Sequence, residues 1–165
     1  DAKSWGVFPH ELINPDHPLV KGITEGLQGP HSHCYDLSIN EIEQTNLQIL
    51  ALNQDAGFFL ASTPEADLVL FQGHPEYDDK SLMKEYEREI KNFLSGSRSD
   101  YPNPPKNYFS AETESRLEQV KADTLNTQEF IKFDNEYLHD IDLSWIDAGK
   151  TIYSNWLGLL LDSKT

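Results

Sequence analysis

The chain has 165 residues, and its 13 basic and 28 acidic side chains give a formal net charge of −15. This acidity disfavours nucleic-acid binding and tight docking on an anionic membrane, because both of those surfaces are negatively charged. Apolar residues make up 38% of the chain, which is enough for the core of one domain or a large part of one, but no apolar run approaches the roughly 20 residues that span a bilayer.

The first half of the chain is predicted to be mostly β-strand. Ser4–Leu12 is an apolar run with a polar exit, and a loop rich in proline and glycine follows it. Ser38 and Glu41 form a capping-box pattern, which predicts a short helix. Short apolar runs bounded by polar or turn residues predict further strands. These strands cover residues 31–37, 47–52, 57–61 and 68–71.

The second half of the chain is predicted to be mostly helical. Ser81–Leu94 is the clearest helix, because its apolar residues recur at helical spacing, with Asp78 and Asp79 at its start and Gly96 after its end. Residues 111–140 are charged and weakly periodic, which predicts a surface helix and a loop. A final helix is predicted over residues 144–161. Its candidate core residues are Trp145, Ile152, Trp156, Leu157 and Leu160.

The order of these elements predicts part of an α/β or α+β domain in which helices cover a sheet. The single cysteine, Cys34, excludes an internal disulfide and fits a cytoplasmic protein. No secretory leader is visible, and the first residue is Asp1 rather than Met. We therefore expect a cytoplasmic protein with a segment upstream of this sequence.

The pair His74 and Glu76 is the first candidate for catalysis. Both follow a predicted strand and precede the predicted helix Ser81–Leu94, and Pro75 restricts the backbone between them. An imidazole can take a proton from a thiol or hydroxyl, and a neighbouring carboxylate can orient the ring and stabilise its charged form. The alternative is that these residues only cap the helix that follows.

A second cluster of reactive side chains contains His31, His33 and Cys34. Two histidines and a cysteine suggest a metal site, but in an extended strand Cys34 points away from the two histidines. We therefore expect no metal site. Cys34 could also be a nucleophile paired with His74, although reactive cysteines usually lie in strained turns or at helix N-termini. A buried, inert cysteine is the ordinary alternative.

Arg88 is the third candidate, since a guanidinium group offers a planar fork for a carboxylate. It lies on the predicted helix Ser81–Leu94 among several glutamates, so surface ion pairs are the ordinary explanation. Lys3 carries no signal by itself.

Five segments together resemble the homoserine O-acyltransferase family, the homoserine O-succinyltransferases or transacetylases of methionine biosynthesis. Their order and most of their spacings agree with that family, apart from an apparent insertion at about residues 110–143. The chain is thereby identified as the C-terminal portion, residues 1–165, of a single O-acyltransferase domain. The segments are residues 3–8 (KSWGVF), 29–32 (GPHS), 73–78 (GHPEYD), 107–109 (NYF) and 154–157 (SNWL).

This resemblance implies a fold like that of the class I glutamine amidotransferases, which is a flavodoxin-like, mostly parallel sheet flanked by helices. It also implies a ping-pong reaction without a bound cofactor. A cysteine takes an acetyl or succinyl group from acyl-CoA as a thioester, and the hydroxyl of homoserine then attacks that thioester. The thioester needs a site that excludes water, because hydrolysis would otherwise release the acyl group.

The resemblance also implies roles for five residues. His74 would be the general base, and Glu76 would orient it. Arg88 would hold the carboxylate of the amino acid substrate. Lys3 and Ser32 match further positions that contact substrate.

The sequence departs from the family in two places. The nucleophilic cysteine of the family lies upstream of the segment that matches Lys3, so we expect the nucleophile in a missing N-terminal half. The family usually continues Pro-His-Ser with Arg-Tyr, whereas His33 and Cys34 stand here. That change leaves serine open as an alternative acceptor.

Two other functions remain as alternatives: one half of a class I glutamine amidotransferase, which shares the His-Pro-Glu element, and a non-catalytic fragment used in binding or assembly. A homodimer is possible under any of these functions.

Overall fold

The described residues form two compact units. A computed structural model of the chain describes residues 3–24 and 26–162. The first unit combines the ranges 1–76 and 143–165, and the second consists of residues 77–142. No helix within the described residues is long and apolar enough to cross a membrane.

The first unit is built on a five-stranded sheet with the order β2-β1-β3-β4-β5, in which every pair of neighbours is antiparallel. β1 was predicted with the bounds that it has. The two-residue contact between β1 and β3 joins the end of β1 to the rest of the sheet. The strands are β1 (Ser4–Leu12), β2 (Leu27–His33), β3 (Gln48–Asn53), β4 (Gly57–Ser62) and β5 (Val69–Phe71).

The expected mostly parallel sheet is wrong for these strands, although the broad α/β class is confirmed. The reason lies in the connections. A parallel pair needs a crossover of a dozen or more residues, usually a helix. Here β3 ends at Asn53 and β4 begins at Gly57, while β4 ends at Ser62 and β5 begins at Val69. Connections this short turn the chain back on itself and produce antiparallel neighbours.

β2 begins and ends earlier than the predicted strand over residues 31–37, because it starts at Leu27 and stops at His33. Gly29 and Pro30 read as turn residues in the sequence. Proline is tolerated here because β2 is the edge strand of the sheet, where a missing backbone N–H interrupts no second ladder.

Helices cover both faces of this sheet. Phe58 and Phe59 are adjacent on β4, so their side chains point to opposite faces, and both are buried. Phe58 packs with Ile42 of the short helix α1 (Ile39–Glu43), whose predicted capping box between Ser38 and Glu41 is confirmed. Phe59 belongs to a larger cluster on the other face. The buried members of that cluster are Leu19, Val20, Leu27, Leu50, Ala51, Phe59, Leu60, Ala66 and Ile152.

The last helix, α4 (Ser144–Asp162), closes this larger cluster. Trp145 and Ile152 are buried, as predicted. Asn155 Nδ2 donates hydrogen bonds of 2.9 Å to the carbonyls of Leu19 and Lys21, which fixes the helix against the first loop. The prediction that Leu157 and Leu160 are core residues is wrong for the described part of the chain, where they are 42% and 38% exposed. An apolar face therefore remains on α4. It consists of Tyr153, Leu157, Leu160 and Leu161.

The second unit contains α2 (Ser81–Leu94) and α3 (Ala111–Thr127). α2 has the predicted bounds, and Gly96 after it has a φ of +76°, a conformation that glycine adopts without strain. Tyr86 of α2 packs against Phe109 and Phe133. α3 and the loop after it confirm the helix and loop predicted for residues 111–140.

Candidate functional site

His74 and Glu76 are hydrogen-bonded to one another just after β5. His74 Nδ1 lies 2.9 Å from Glu76 Oε1, and the two side chains are 31% and 67% exposed. A carboxylate only accepts hydrogen bonds, so this contact places a ring proton on Nδ1. In the neutral ring Nε2 then carries a lone pair, which is the form that can take a proton from a hydroxyl. The pair predicted from the sequence therefore has the geometry of a base and its orienting carboxylate.

Gly73 allows the chain to pass close to β2 immediately before His74. A Cβ at Gly73 would lie 2.2 Å from the Phe59 ring and 2.9 Å from the Pro30 carbonyl oxygen, and real side chains do not tolerate such distances. Gly29 has the same relationship to Phe59, with a Cβ 2.4 Å from the ring. The ring of Phe59 thus meets a glycine of β2 and the glycine before His74. The backbone N–H of His74 completes the contact with a 2.8 Å hydrogen bond to Pro30 O.

Three histidines form a continuous chain beside this segment. His31 Nε2 lies 2.9 Å from His10 Nε2, and His31 Nδ1 lies 2.8 Å from His33 Nε2. The antiparallel register pairs Gly6 with His31, and Gly29 provides no side chain next to the His10 ring, so the rings have room to meet. His10 Nδ1 ends the chain at the carbonyl of Leu27, 3.3 Å away.

Burial keeps His10 and His31 neutral. It lowers the pKa of His10 to about 4 and that of His31 to about 3, with a further lowering of the His31 pKa by charge on His10, His33 and His74. Burial also lowers the pKa of His33, but the neighbouring Asp36 carboxylate opposes this effect and charge on His74 adds to it. His33 is therefore the most readily protonated member of the chain.

Asp36 and Gln72 close the outer end of the histidine chain. Asp36 Oδ1 lies 2.7 Å from His33 Nδ1, although away from the direction of a well-aligned hydrogen bond. Gln72 Nε2 donates to the same Asp36 oxygen at 3.1 Å, and Gln72 Oε1 accepts from the Leu37 N–H at 3.1 Å. Gln72 directly precedes Gly73, so this clamp ties the loop after β2 to the segment that carries His74.

Lys3 and Ser32 come together around Trp5. The register pairs Trp5 with Ser32, and the Lys3 ammonium lies 4.4 Å from the centroid of the Trp5 ring. Because side chains alternate along a strand, Ser32 faces the opposite side of β2 from His31 and His33. Both predicted substrate contacts are therefore neighbours of Trp5.

Arg88 lies in the second unit, on α2. Its side chain is 61% exposed, with Nη2 3.7 Å from Glu85 Oε2 and Nε 3.5 Å from Glu89 Oε1. These are the surface ion pairs that the neighbouring glutamates led us to consider, and they leave a substrate role for Arg88 as a prediction.

Cys34 is exposed and follows the end of β2, so the alternative of a buried cysteine is wrong. Within residues 3–24 and 26–162, no group of three or more histidine, cysteine, aspartate or glutamate side chains is placed to hold a metal ion.

Sequence reasoning missed His10, Asp36 and Gln72 as members of this site. His10 is 21 residues from His31 along the chain, and Gln72 is 36 residues from Asp36. No pattern within a short stretch of sequence can therefore predict these contacts. The one available signal was that His10 is an ionisable residue inside a predicted apolar strand, where such a side chain needs a partner.

Comparison with known proteins identifies relatives over the whole chain. The family model described as homoserine O-succinyltransferase matches residues 1–165. A homoserine O-succinyltransferase of Methylobacter tundripaludum is 41% identical over 165 residues, which cover 95% of this chain and 46% of that protein. The enzyme of that name from Methylococcus capsulatus is 38% identical over 162 residues, covering 94% of this chain and 46% of its own. The chain spans about half the length of the curated relatives it matches.

Proposed function

This chain belongs to the homoserine O-succinyltransferase family, and we propose that it is the C-terminal portion of an enzyme that transfers an acyl group from acyl-CoA to the hydroxyl of homoserine. The observation that carries the proposal is the 2.9 Å contact between His74 and Glu76, in a chain whose relatives bear that enzyme's name. Residues 1–165 would be part of one catalytic domain, with an insertion at about residues 110–143.

The names of the relatives favour succinyl-CoA over acetyl-CoA as the donor and homoserine over serine as the acceptor. The proposed enzyme needs no bound cofactor, because acyl-CoA is itself a substrate. We also propose that the complete domain has a class I glutamine amidotransferase-like sheet, to which the antiparallel strands of this chain attach. A cytoplasmic location and a homodimer stay predictions.

In the proposed reaction a cysteine thiolate, supplied by a part of the protein outside this chain, attacks the acyl-CoA thioester. CoA leaves with the electron pair of its C–S bond, and the acyl group remains on the cysteine. The homoserine hydroxyl then attacks the acyl carbon while His74 Nε2 takes its proton. The new C–O bond forms as the C–S bond to cysteine breaks, and His74 returns the proton to the departing thiolate.

Each remaining residue has a proposed part in this scheme. Glu76 holds the Nδ1–H tautomer of His74 and stabilises the imidazolium that forms during the transfer. Arg88 binds the carboxylate of homoserine through its planar fork. Lys3 and Ser32, grouped around Trp5, contact the substrate at the end of the β1–β2 pair.

The apolar face of α4 supports the proposal that further chain covers this unit. An enzyme twice this length would supply the nucleophile and also bury Tyr153, Leu157, Leu160 and Leu161, which are exposed among the described residues.

The experiment is the His74→Ala substitution in the complete protein, assayed with succinyl-CoA and homoserine. We expect acyl transfer to fall by about 10²–10⁴-fold, the usual contribution of a general base, while acylation of the cysteine, followed by mass spectrometry, partly survives. The control is His139→Ala, because His139 is exposed and pairs with Asp140. Wild-type turnover in the His74 variant would refute the base assignment. In the wild-type protein, glutaminase activity without acyl transfer would favour the amidotransferase alternative. The absence of both activities would favour a non-catalytic fragment.

A further inference from the structure

The hydrogen-bond chain through His10, His31 and His33 has two ends whose polarity is fixed. At one end the acceptor is the backbone carbonyl of Leu27, and at the other the donor is the backbone N–H of Leu37. A carbonyl can only accept and an amide N–H can only donate. The protons can therefore be counted inwards from both ends, as far as the two ring nitrogens of His33.

Counting from Leu27 fixes the tautomers of the buried rings. His10 Nδ1 must carry a proton to donate to Leu27 O, so neutral His10 has a bare Nε2. His31 Nε2 must then carry the proton that fills the 2.9 Å contact with His10, which leaves His31 Nδ1 bare. His33 Nε2 must in turn carry the proton of the 2.8 Å contact with His31.

Counting from Leu37 reaches the opposite side of the same ring. The Leu37 N–H donates to Gln72 Oε1, which orients the Gln72 amide so that Nε2 donates to Asp36 Oδ1. Asp36 Oδ1 is thus an acceptor without a proton, and it lies 2.7 Å from His33 Nδ1, within ion-pair distance but away from the direction of a well-aligned hydrogen bond. A bare Nδ1 would place a lone pair beside this oxygen, so the close approach favours a proton on Nδ1.

We infer that His33 is the residue at which this chain takes up a proton, and that its doubly protonated ring links the buried histidines to the Asp36–Gln72 clamp beside His74. Position 33 is a positioning residue in this arrangement, and it acts through Gln72 and the β2 backbone. When His33 is neutral, one of its two contacts must be lost, to His31 or to Asp36.

The surrounding charges agree with this location for the proton. The groups that face His33 are His31 on β2, at 2.8 Å, Asp36 and the Tyr35 backbone on the following loop, and His74 after β5. His74 is itself paired with Glu76. α4, which also packs against β2, carries Asp147 and Lys150, which pair with each other at an exposed position. Burial holds the pKa of His10 at about 4 and that of His31 at about 3, whereas the Asp36 carboxylate opposes the lowering at His33, so the proton goes to His33. Its own lowered pKa places this uptake on the acidic side of the ordinary histidine value.

This inference rests on the proposed function only in its consequence for catalysis. Positive charges on His33 and His74 disfavour one another. Protonated His33 also holds the clamp that precedes His74. We expect the protonation of His33 to appear in the pH dependence of acyl transfer.

The direct test is nitrogen-15 NMR of the complete protein labelled at histidine, titrated from about pH 8 to about pH 5 around the ordinary histidine pKa of about 6.5. The two-bond ring correlations should show His10 as the Nδ1–H tautomer and His31 as the Nε2–H tautomer throughout. His33 should change from a neutral ring to an imidazolium as the pH falls, and the amide signals of Leu37 and Gln72 should shift with it. The opposite tautomer at His31, or a His33 that stays neutral while another member of the chain titrates, would overturn the inference.

Two variants separate this inference from the proposed function. His33→Arg keeps a permanent cation that can donate to both His31 and Asp36, and His33→Gln carries no charge. In the arginine variant, the Leu37 amide signal should no longer shift with pH and should stay where the wild-type signal lies at low pH. In the glutamine variant, it should stay where the wild-type signal lies at high pH. A pH-linked shift that persists in both variants would contradict the role of His33. His139→Gln is the control and should leave the shift unchanged. These NMR measurements do not require acyl transfer. The absence of acyl transfer would therefore refute the proposed function and leave the inference about His33 untouched.

Discussion

The backbone N–H of His74 donates a 2.8 Å hydrogen bond to the carbonyl of Pro30. This contact joins two of the five segments that match the family, Pro-His-Ser on β2 and His-Pro-Glu after β5. The hydrogen bond connects the segment that carries the candidate base to the strand that carries His31 and His33. A change that moves either segment should therefore affect the other.

We expect Gly73→Ala to destabilise the protein and to reduce acyl transfer. The added Cβ would lie 2.2 Å from the Phe59 ring and 2.9 Å from Pro30 O, so either the buried ring or the backbone next to His74 must move. Overpacking of this kind costs about 1–3 kcal/mol. Denaturant unfolding measures the stability, and the assay with succinyl-CoA measures the activity. Gly158→Ala is the matched control, because a Cβ there meets nothing within 4 Å on an exposed part of α4. Equal stability of both variants would contradict the proposed packing of Phe59.

Glu76→Gln should lower kcat while leaving the protein folded. The amide keeps a hydrogen-bond partner 2.9 Å from His74 Nδ1, but it no longer stabilises the imidazolium that forms when His74 takes the hydroxyl proton. Since Glu76 is largely exposed, solvent screens part of its charge, and we expect a loss of about tenfold to a hundredfold. Steady-state kinetics measures this loss. Glu136→Gln, which changes an exposed carboxylate paired with Arg116, should leave kcat unchanged. An unchanged kcat in the Glu76 variant would exclude a role for the Glu76 charge in stabilising the His74 imidazolium.

Arg88→Lys should raise the KM for homoserine by about tenfold and change kcat little. Lysine keeps the positive charge but loses the two-pronged contact with a carboxylate, and a charge-assisted hydrogen bond contributes about 1.5–3 kcal/mol. Stability should hardly change, because the ion pairs of Arg88 with Glu85 and Glu89 are exposed at the guanidinium end. The matched control is Arg116→Lys on α3, another exposed arginine in an ion pair. The same KM in wild type and the Arg88 variant would remove Arg88 from the site.

The protein should lose stability as the pH falls from about 6.5 towards 4. Burial lowers the pKa of His10 from 6.5 to about 4, so the unfolded chain binds a proton at His10 more readily than the folded chain does. The stabilisation is therefore fully present above the unfolded pKa and declines as the pH falls through this window, by on the order of 3 kcal/mol at most for His10. His31, with a pKa of about 3, acts in the same direction.

Denaturant unfolding at several pH values tests this dependence. His10→Gln should flatten the decline between pH 6.5 and 4 relative to wild type, because the substituted side chain no longer titrates. His139→Gln should keep the wild-type slope, since His139 lies in an exposed pair with Asp140. An identical slope in wild type and the His10 variant would show that His10 is not buried in its neutral form.

Local pattern was sufficient for much of the secondary structure. Ser4–Leu12 and Ser81–Leu94 have their predicted bounds, and the capping box of Ser38 forms both of its hydrogen bonds. These features depend on residues close together in sequence, through alternation in the strand, helical spacing and N-terminal capping. The prediction failed at β2, where Gly29 and Pro30 look like a turn and are accommodated only because β2 is an edge strand.

The family could be predicted from the sequence, because the five matching segments keep their order. The His74–Glu76 pair could be predicted as well, because the two residues are separated only by Pro75, which restricts the backbone between them. The family expected from those segments is confirmed by the match over the whole chain. The antiparallel direction of β3, β4 and β5 was within reach too, because the strands predicted over residues 47–52, 57–61 and 68–71 leave connections too short for a parallel crossover. The parallel expectation came from the family resemblance instead. The chain from His10 through His31 to His33, with its Asp36–Gln72 clamp, forms only when β1 pairs with β2 and the segment after β5 meets β2 and the loop that follows it. The proposed proton on His33 is argued from contacts between residues that are distant in sequence, so only the tertiary structure could suggest it.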